Sequence, residues 1–141
     1  AAYGNSRAAV IDTLAKYPSI KVVLDVHRDA IERDGKRIKP TCNVNGVAAA
    51  QLMIICGADD GTMNMPNYRK NLSFAAALQT AISAPNEGLC RPVLFDYRNY
   101  NQGLTTGSLL LEFGGHANTL DEAKYTAKLV AKAMVTLFTQ K

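Results

Sequence analysis

The chain has 141 residues, 48% of them hydrophobic and 20% charged, with a formal net charge of +4. That is one domain's length with enough apolar material for a core, which excludes a disordered tail, and no apolar run reaches the roughly 18 residues of a membrane-spanning helix. The positive balance suits a polyanionic partner such as nucleic acid, anionic lipid or bacterial wall, but zero Trp and the lack of an RNP-like or helix-turn-helix signature turn the reading away from nucleic acid.

The elements follow in chain order. SRAAVIDTLAKYP carries Val10, Ile11, Leu14 and Ala15 at helical spacing, with Asn5 or Ser6 to cap its start and Pro18 to stop it. Ile20 to Val26 reads as a buried strand. Lys36 to Val47 reads as a hairpin, because Asn45-Gly46 supplies the positive φ angles of a tight turn. The basic cluster from Arg33 to Lys39 reads as a solvated loop. Ala48 to Cys56 is a second buried strand, ended by Gly57, and ADDGTMNMPN is a loop. Pro66 suits the first turn of a helix running to about Ala84, with Leu72, Ala75, Leu78 and Ile82 inward. PVLFDY is a short extended piece. Ser108 to Phe113 is another buried strand, followed by Gly114-Gly115. Thr119 and Glu122 form a T-x-x-E capping box. It opens a last helix whose predicted buried side holds Leu120, Ala123, Ala127, Val130, Met134, Val135 and Phe138. Alternation of strands and helices gives an α/β class with a largely parallel or mixed sheet, in a single domain over residues 1–141.

Cys42, Cys56 and Cys90 form no C-x-x-C pair, which excludes a cysteine zinc ribbon, and their odd number argues against a disulfide framework. One disulfide stays open. Cys56, within QLMIICG, reads as a small buried hydrophobe.

Ligands in open α/β sheets bind beyond the carboxyl ends of strands, and two strand ends here carry ionisable groups. One is LDVHRDA, with Asp25, His27, Arg28 and Asp29. The other places Glu112 before FGGHAN. A carboxylate in an apolar strand is costly unless it is paired, hydrogen-bonded or beside a metal. His27 is then either a satisfied polar group or a metal ligand. Glu112 is either an ion-pair partner of Arg28 or a reactive carboxylate. Asp25 can orient an imidazole or cap a backbone group. Asn101 and Gln102 can bind substrate or hold a turn, and His116 reads as a loop histidine facing solvent. From these residues alone the site is a His/Glu cleft suited to metal-assisted hydrolysis.

LDVHRDA, YRNYNQGL and LLLEFGGHANTLDEA, in that order and across nearly the whole chain from about Ser6, resemble the stage II sporulation protein P family. That family belongs to the zinc-dependent N-acetylmuramoyl-L-alanine amidases. The resemblance implies a zinc-amidase-like (phosphorylase/hydrolase-like) three-layer fold. It also implies one Zn2+ ion held by a His and a Glu of an upstream H-T-H-x-x-E type motif and by a second His. By motif match that second His is His27, and Glu112 takes the catalytic role. Asp25, Arg28, Asp29, Asn101, Gln102 and His116 are weaker candidates around the metal or the substrate groove. The implied activity is cleavage of the amide between the glycan lactyl group and the stem peptide, and also of peptide cross-links, during septal wall degradation in spore engulfment. The implied partners are peptidoglycan and stage II sporulation proteins D and M. The implied place is outside the cytoplasm, on a membrane-anchored parent.

No His precedes His27. The remaining zinc ligands and the anchor are therefore expected upstream of Ala1, and the chain by itself is expected to bind zinc weakly or not at all and to be inactive. The competing classes are a peptidoglycan-binding module without catalysis and an assembly module of a sporulation complex.

Overall fold

A computed structural model describes residues 2–139. The elements are α1 (Ala2–Lys16), β1 (Val22–Asp29), β2 (Glu32–Arg33), β3 (Lys36–Arg37), β4 (Thr41–Val44), β5 (Val47–Ala50), β6 (Leu52–Gly57), α2 (Tyr68–Ser83), β7 (Leu94–Asp96), β8 (Gly107–Gly115) and α3 (Leu120–Thr139). The main sheet has the order β1-β8-β6-β7. β1 runs parallel to β8 and β7 parallel to β6, whereas β6 and β8 are antiparallel. The class is therefore α/β with a mixed sheet. The β4–β5 hairpin turns on Asn45-Gly46, both at positive φ, as the dipeptide predicts. Among the described residues, no helix is long and apolar enough to cross a membrane.

β8 is buried along its whole length because it is flanked on both sides. Its residues alternate between two faces. Leu109, Leu111 and Phe113 join Leu52, Ile54 and Cys56 of β6 under Ala75, Leu78 and Ile82 of α2 and Ala123, Leu129, Val130 and Ala133 of α3. Each fully buried leucine or isoleucine there contributes roughly 1.5–3 kcal/mol of transfer free energy. Cys56 is part of this core, and burial pushes its thiol up to about 11. All three cysteines are free.

Several expectations are corrected. α1 begins at Ala2, so Ser6 lies inside the helix, where its hydroxyl donates to Tyr3 O at 3.1 Å. Ile11 is exposed. β1 extends to Asp29 and is an edge strand, only partly buried. The predicted strand from Ala48 to Cys56 is two strands. Gln51 breaks it, because its amide donates to Pro40 O at 3.0 Å and its carbonyl accepts from Gly114 N at 2.9 Å. Pro66 lies in the turn before α2 rather than in its first turn. On α3, Leu120, Ala127, Val135 and Phe138 are exposed, and the buried stripe instead includes Thr126. That hydroxyl is satisfied by Ala50 O at 2.7 Å, which lets a polar residue occupy a core position.

Candidate active site

The other face of the sheet carries the ionisable groups. His27 is in register with Glu112, and Glu112 with Met53. Residues in register share a face, and neighbouring strands lie ~4.8 Å apart. His27, Glu112 and Met53 therefore form one transverse row, with Asp25 and Leu110 forming the row beneath it. Met53, Ile55 and Leu110 make a small apolar floor, edged by Leu94 and Tyr100. Between His27 and Asp29 the β1–β8 register shifts, and Gly114 (φ 68) takes up the irregularity. A Cβ at Gly114 would meet Asn118 Oδ1 at 2.5 Å and Ala50 Cβ at 2.6 Å, so both its conformation and its space require glycine.

His27 Nε2 lies 3.0 Å from Asp25 Oδ1, which fixes the ring and leaves Nδ1 as the nitrogen for another partner. Tyr3 of α1 stacks on the imidazole with a centroid separation of 5.8 Å and an interplanar angle of 10°. Burial, then Tyr100 and the carboxylates of Asp25 and Glu112, push the Tyr3 phenol up, as befits a ring that roofs the site. Glu112 is 8% exposed, and its Oε2 has no hydrogen-bond partner among the described residues. Burial raises its pKa and Asp29 adds to the rise, while His27 and Arg91 oppose it. A carboxyl whose pKa is raised by burial is better suited to taking up a proton than an ordinary surface carboxylate.

The remaining candidates divide. Asp29 belongs to the cluster: its Oδ2 is 3.3 Å from Arg91 Nη1, and its Oδ1 accepts from Ala30 N at 2.8 Å. Arg28 does not pair with Glu112. It points to the opposite side of β1, and its Nη2 donates to Gly115 O at 3.0 Å and to Asn118 O. Gln102 is buried, and its side-chain amide is spent on β6, accepting from Gly57 N at 2.8 Å and donating to Ile55 O at 3.0 Å. Asn101 (φ 62) ties down the first turns of α1, donating to Tyr3 O at 2.9 Å and Ser6 Oγ at 3.2 Å. His116 is half-buried rather than solvent-facing. Its backbone N–H donates to Asp29 O at 2.8 Å, and its Nε2 lies 3.5 Å from Glu32 Oε1. Sequence reasoning missed Tyr3, Tyr100 and Arg91. Of these only Tyr100 carried a signal, its place in YRNYNQGL beside Asn101 and Gln102, whereas Arg91 is brought in by strand pairing.

The family model for Stage II sporulation protein P (SpoIIP) matches residues 1–135. The chain belongs to this family. It is 30% identical over 134 residues to Stage II sporulation protein P of Bacillus subtilis (strain 168), a match covering 92% of this chain and 31% of that protein. The chain thus spans about a third of the length of that relative. No solved structure matches it.

The zinc ion that the family resemblance implies can be tested against the donors present. Among the described residues, no group of three or more His, Cys, Asp or Glu side chains is placed to hold a metal. What is present fits part of such a site: an imidazole oriented by a carboxylate and, in the same row, a buried carboxylate oxygen without a partner.

Proposed function

We propose that this chain is part of the catalytic domain of a zinc-dependent N-acetylmuramoyl-L-alanine amidase with a zinc-amidase-like fold. It would cut the amide between the glycan lactyl group and the stem peptide, and peptide cross-links as well, in the septal wall during spore engulfment. The observation that carries this reading is the His27–Glu112 register pair on one face of the sheet, with Glu112 Oε2 buried and unpartnered. His27 would hold the ion through Nδ1, with the other ligands supplied from outside residues 1–141. When bound, zinc supplies Lewis-acid polarisation of an amide carbonyl and acidification of water.

The residues of this chain do the rest. Asp25 holds the imidazole in one orientation through Nε2. Glu112 takes the proton of the attacking water and returns it to the leaving nitrogen, which its raised pKa favours. Met53, Ile55 and Leu110 keep the floor dry, so charge on Glu112 is weakly screened. The substrate is peptidoglycan, whose anionic character matches a net charge of +4. Stage II sporulation proteins D and M are proposed as partners. The proposed location is extracytoplasmic, on a membrane-anchored parent.

Two measurements test this. A full-length protein should bind zinc stoichiometrically and lose it when His27 is replaced by Ala. It should also release stem peptides from purified walls. A full-length protein that digests walls equally well after exhaustive chelation would overturn the zinc assignment.

A further inference from the structure

Arg91 occupies a position for which the proposed hydrolysis has no use. Cys90 bridges Leu52 in parallel fashion, and Arg91 N donates to Leu52 O at 2.8 Å. Cys90 packs with the helix-side core. One residue further on, Arg91 therefore turns to the site face, beside Met53, and extends the row His27–Glu112–Met53 by one column. Its Nη1 nevertheless lies 3.3 Å from Asp29 Oδ2 on β1, at the far side of the sheet. The side chain must reach back across the columns of Met53 and Glu112 to get there, and its charge is felt at Glu112.

The contact with Asp29 does not consume the guanidinium. It is a single long contact, made between side chains that are 30% and 26% exposed. Among the described residues, no other side chain takes Nη2 or Nε of Arg91. A bidentate fork would engage two of the guanidinium nitrogens, and this pair engages one. Here one nitrogen is anchored, and the other N–H donors of the guanidinium have no side-chain partner among the described residues, on the face of the sheet that carries Glu112. A guanidinium edge matches a carboxylate in shape and charge.

We propose that Arg91 is a specificity-determining residue that binds a carboxylate on the peptide side of the cleaved amide, with Asp29 holding the guanidinium in place. The inference rests on the amidase reading for the placement of the substrate. In that substrate the lactyl carboxyl is tied up in the amide itself, so the free carboxylates lie on the peptide.

The test is a binding measurement in the full-length protein carrying Glu112→Gln, so that its outcome does not depend on turnover. The probes are N-acetyl-alanyl-glutamate and the same dipeptide with both carboxyls converted to amides. The acid is expected to bind at least tenfold more tightly than the diamide. Arg91→Ala should erase that preference, and Arg91→Lys should keep part of it, since the charge remains but the fork is lost. Retained circular dichroism and melting behaviour would establish that each variant is folded. Absence of an acid preference, or a preference that survives Arg91→Ala, would overturn the proposal. If the preference is found and lost as expected while wild-type protein releases no stem peptide from walls, the amidase reading fails and the carboxylate site stands.

Discussion

Leu111 and Glu112 are neighbours on the central strand, yet they face different chemical worlds. Leu111 points into the layer under α2 and α3, where apolar side chains close on one another. Glu112 points to the opposite face, where a three-residue apolar floor carries Asp25, His27, Asp29 and Arg91. Both are almost fully buried. The helix face buries surface to stabilise the fold, while the other face buries a charge at a cost, with one oxygen unpartnered. A strand that alternates between these two faces separates apolar packing from a buried, partly unpartnered carboxylate at one-residue spacing.

Substitutions should respect that division. Leu111→Ala is expected to destabilise the protein by about 2–5 kcal/mol, read from chemical denaturation, because it opens a cavity in the helix-side core. A loss under about 1 kcal/mol would show that face to be loosely packed. Gln102→Ala should follow, at roughly 2–4 kcal/mol, since it strands the Gly57 N–H and the Ile55 carbonyl in the interior. If instead it melts like wild type but loses substrate affinity, Gln102 belongs to the groove.

Glu122 gives a smaller effect with a definite pH dependence. Burial would raise its carboxyl, but Lys39 Nζ at 2.6 Å, the Thr119 amide at 2.9 Å and Asn118 Nδ2 at 3.0 Å outweigh it and hold the pKa at about 2. A carboxyl depressed in the folded state stabilises the fold above its unfolded value of 4.5, and that contribution is lost as pH falls towards about 2. Glu122→Gln should therefore cost about 1–2 kcal/mol at neutral pH. The gap between variant and wild type should close as the solution is acidified through that window. A gap that does not change with pH would mean that the side chain acts by shape rather than charge. Smallest of all, Asp25→Asn should leave the melting transition in place while weakening zinc retention on the intact site by roughly 10–100-fold, as loss of an imidazole-orienting carboxylate does.

Much of this architecture was legible in the sequence, and for identifiable reasons. Asn45-Gly46 admits few alternatives to a hairpin turn, and the Thr119–Glu122 box forms as predicted, with Glu122 N donating to Thr119 Oγ1 at 3.2 Å. The pairing of His27 with Glu112 across neighbouring strands followed from two charged strand ends. The phase of α3 was not legible, because counting only apolar residues skips Thr126, whose burial depends on a carbonyl 76 residues away. The division of the strand at Gln51 was hidden for a similar reason. Arg28 and Asp29 are adjacent in sequence but lie on opposite faces, so LDVHRDA could not by itself say which charges converge. Arg91 joins the site only through the β6 neighbour that tertiary pairing supplies.

In the proposed amidase, the site face lets one buried carboxylate, Glu112, move a proton. The most direct test is Glu112→Gln in a full-length protein that retains stoichiometric zinc, scored by stem-peptide release from purified peptidoglycan. Release is expected to fall by about 10²–10⁴-fold while zinc content is unchanged and the protein melts no earlier than wild type. A Glu112→Gln protein that still releases stem peptides at the wild-type rate would contradict that role for Glu112.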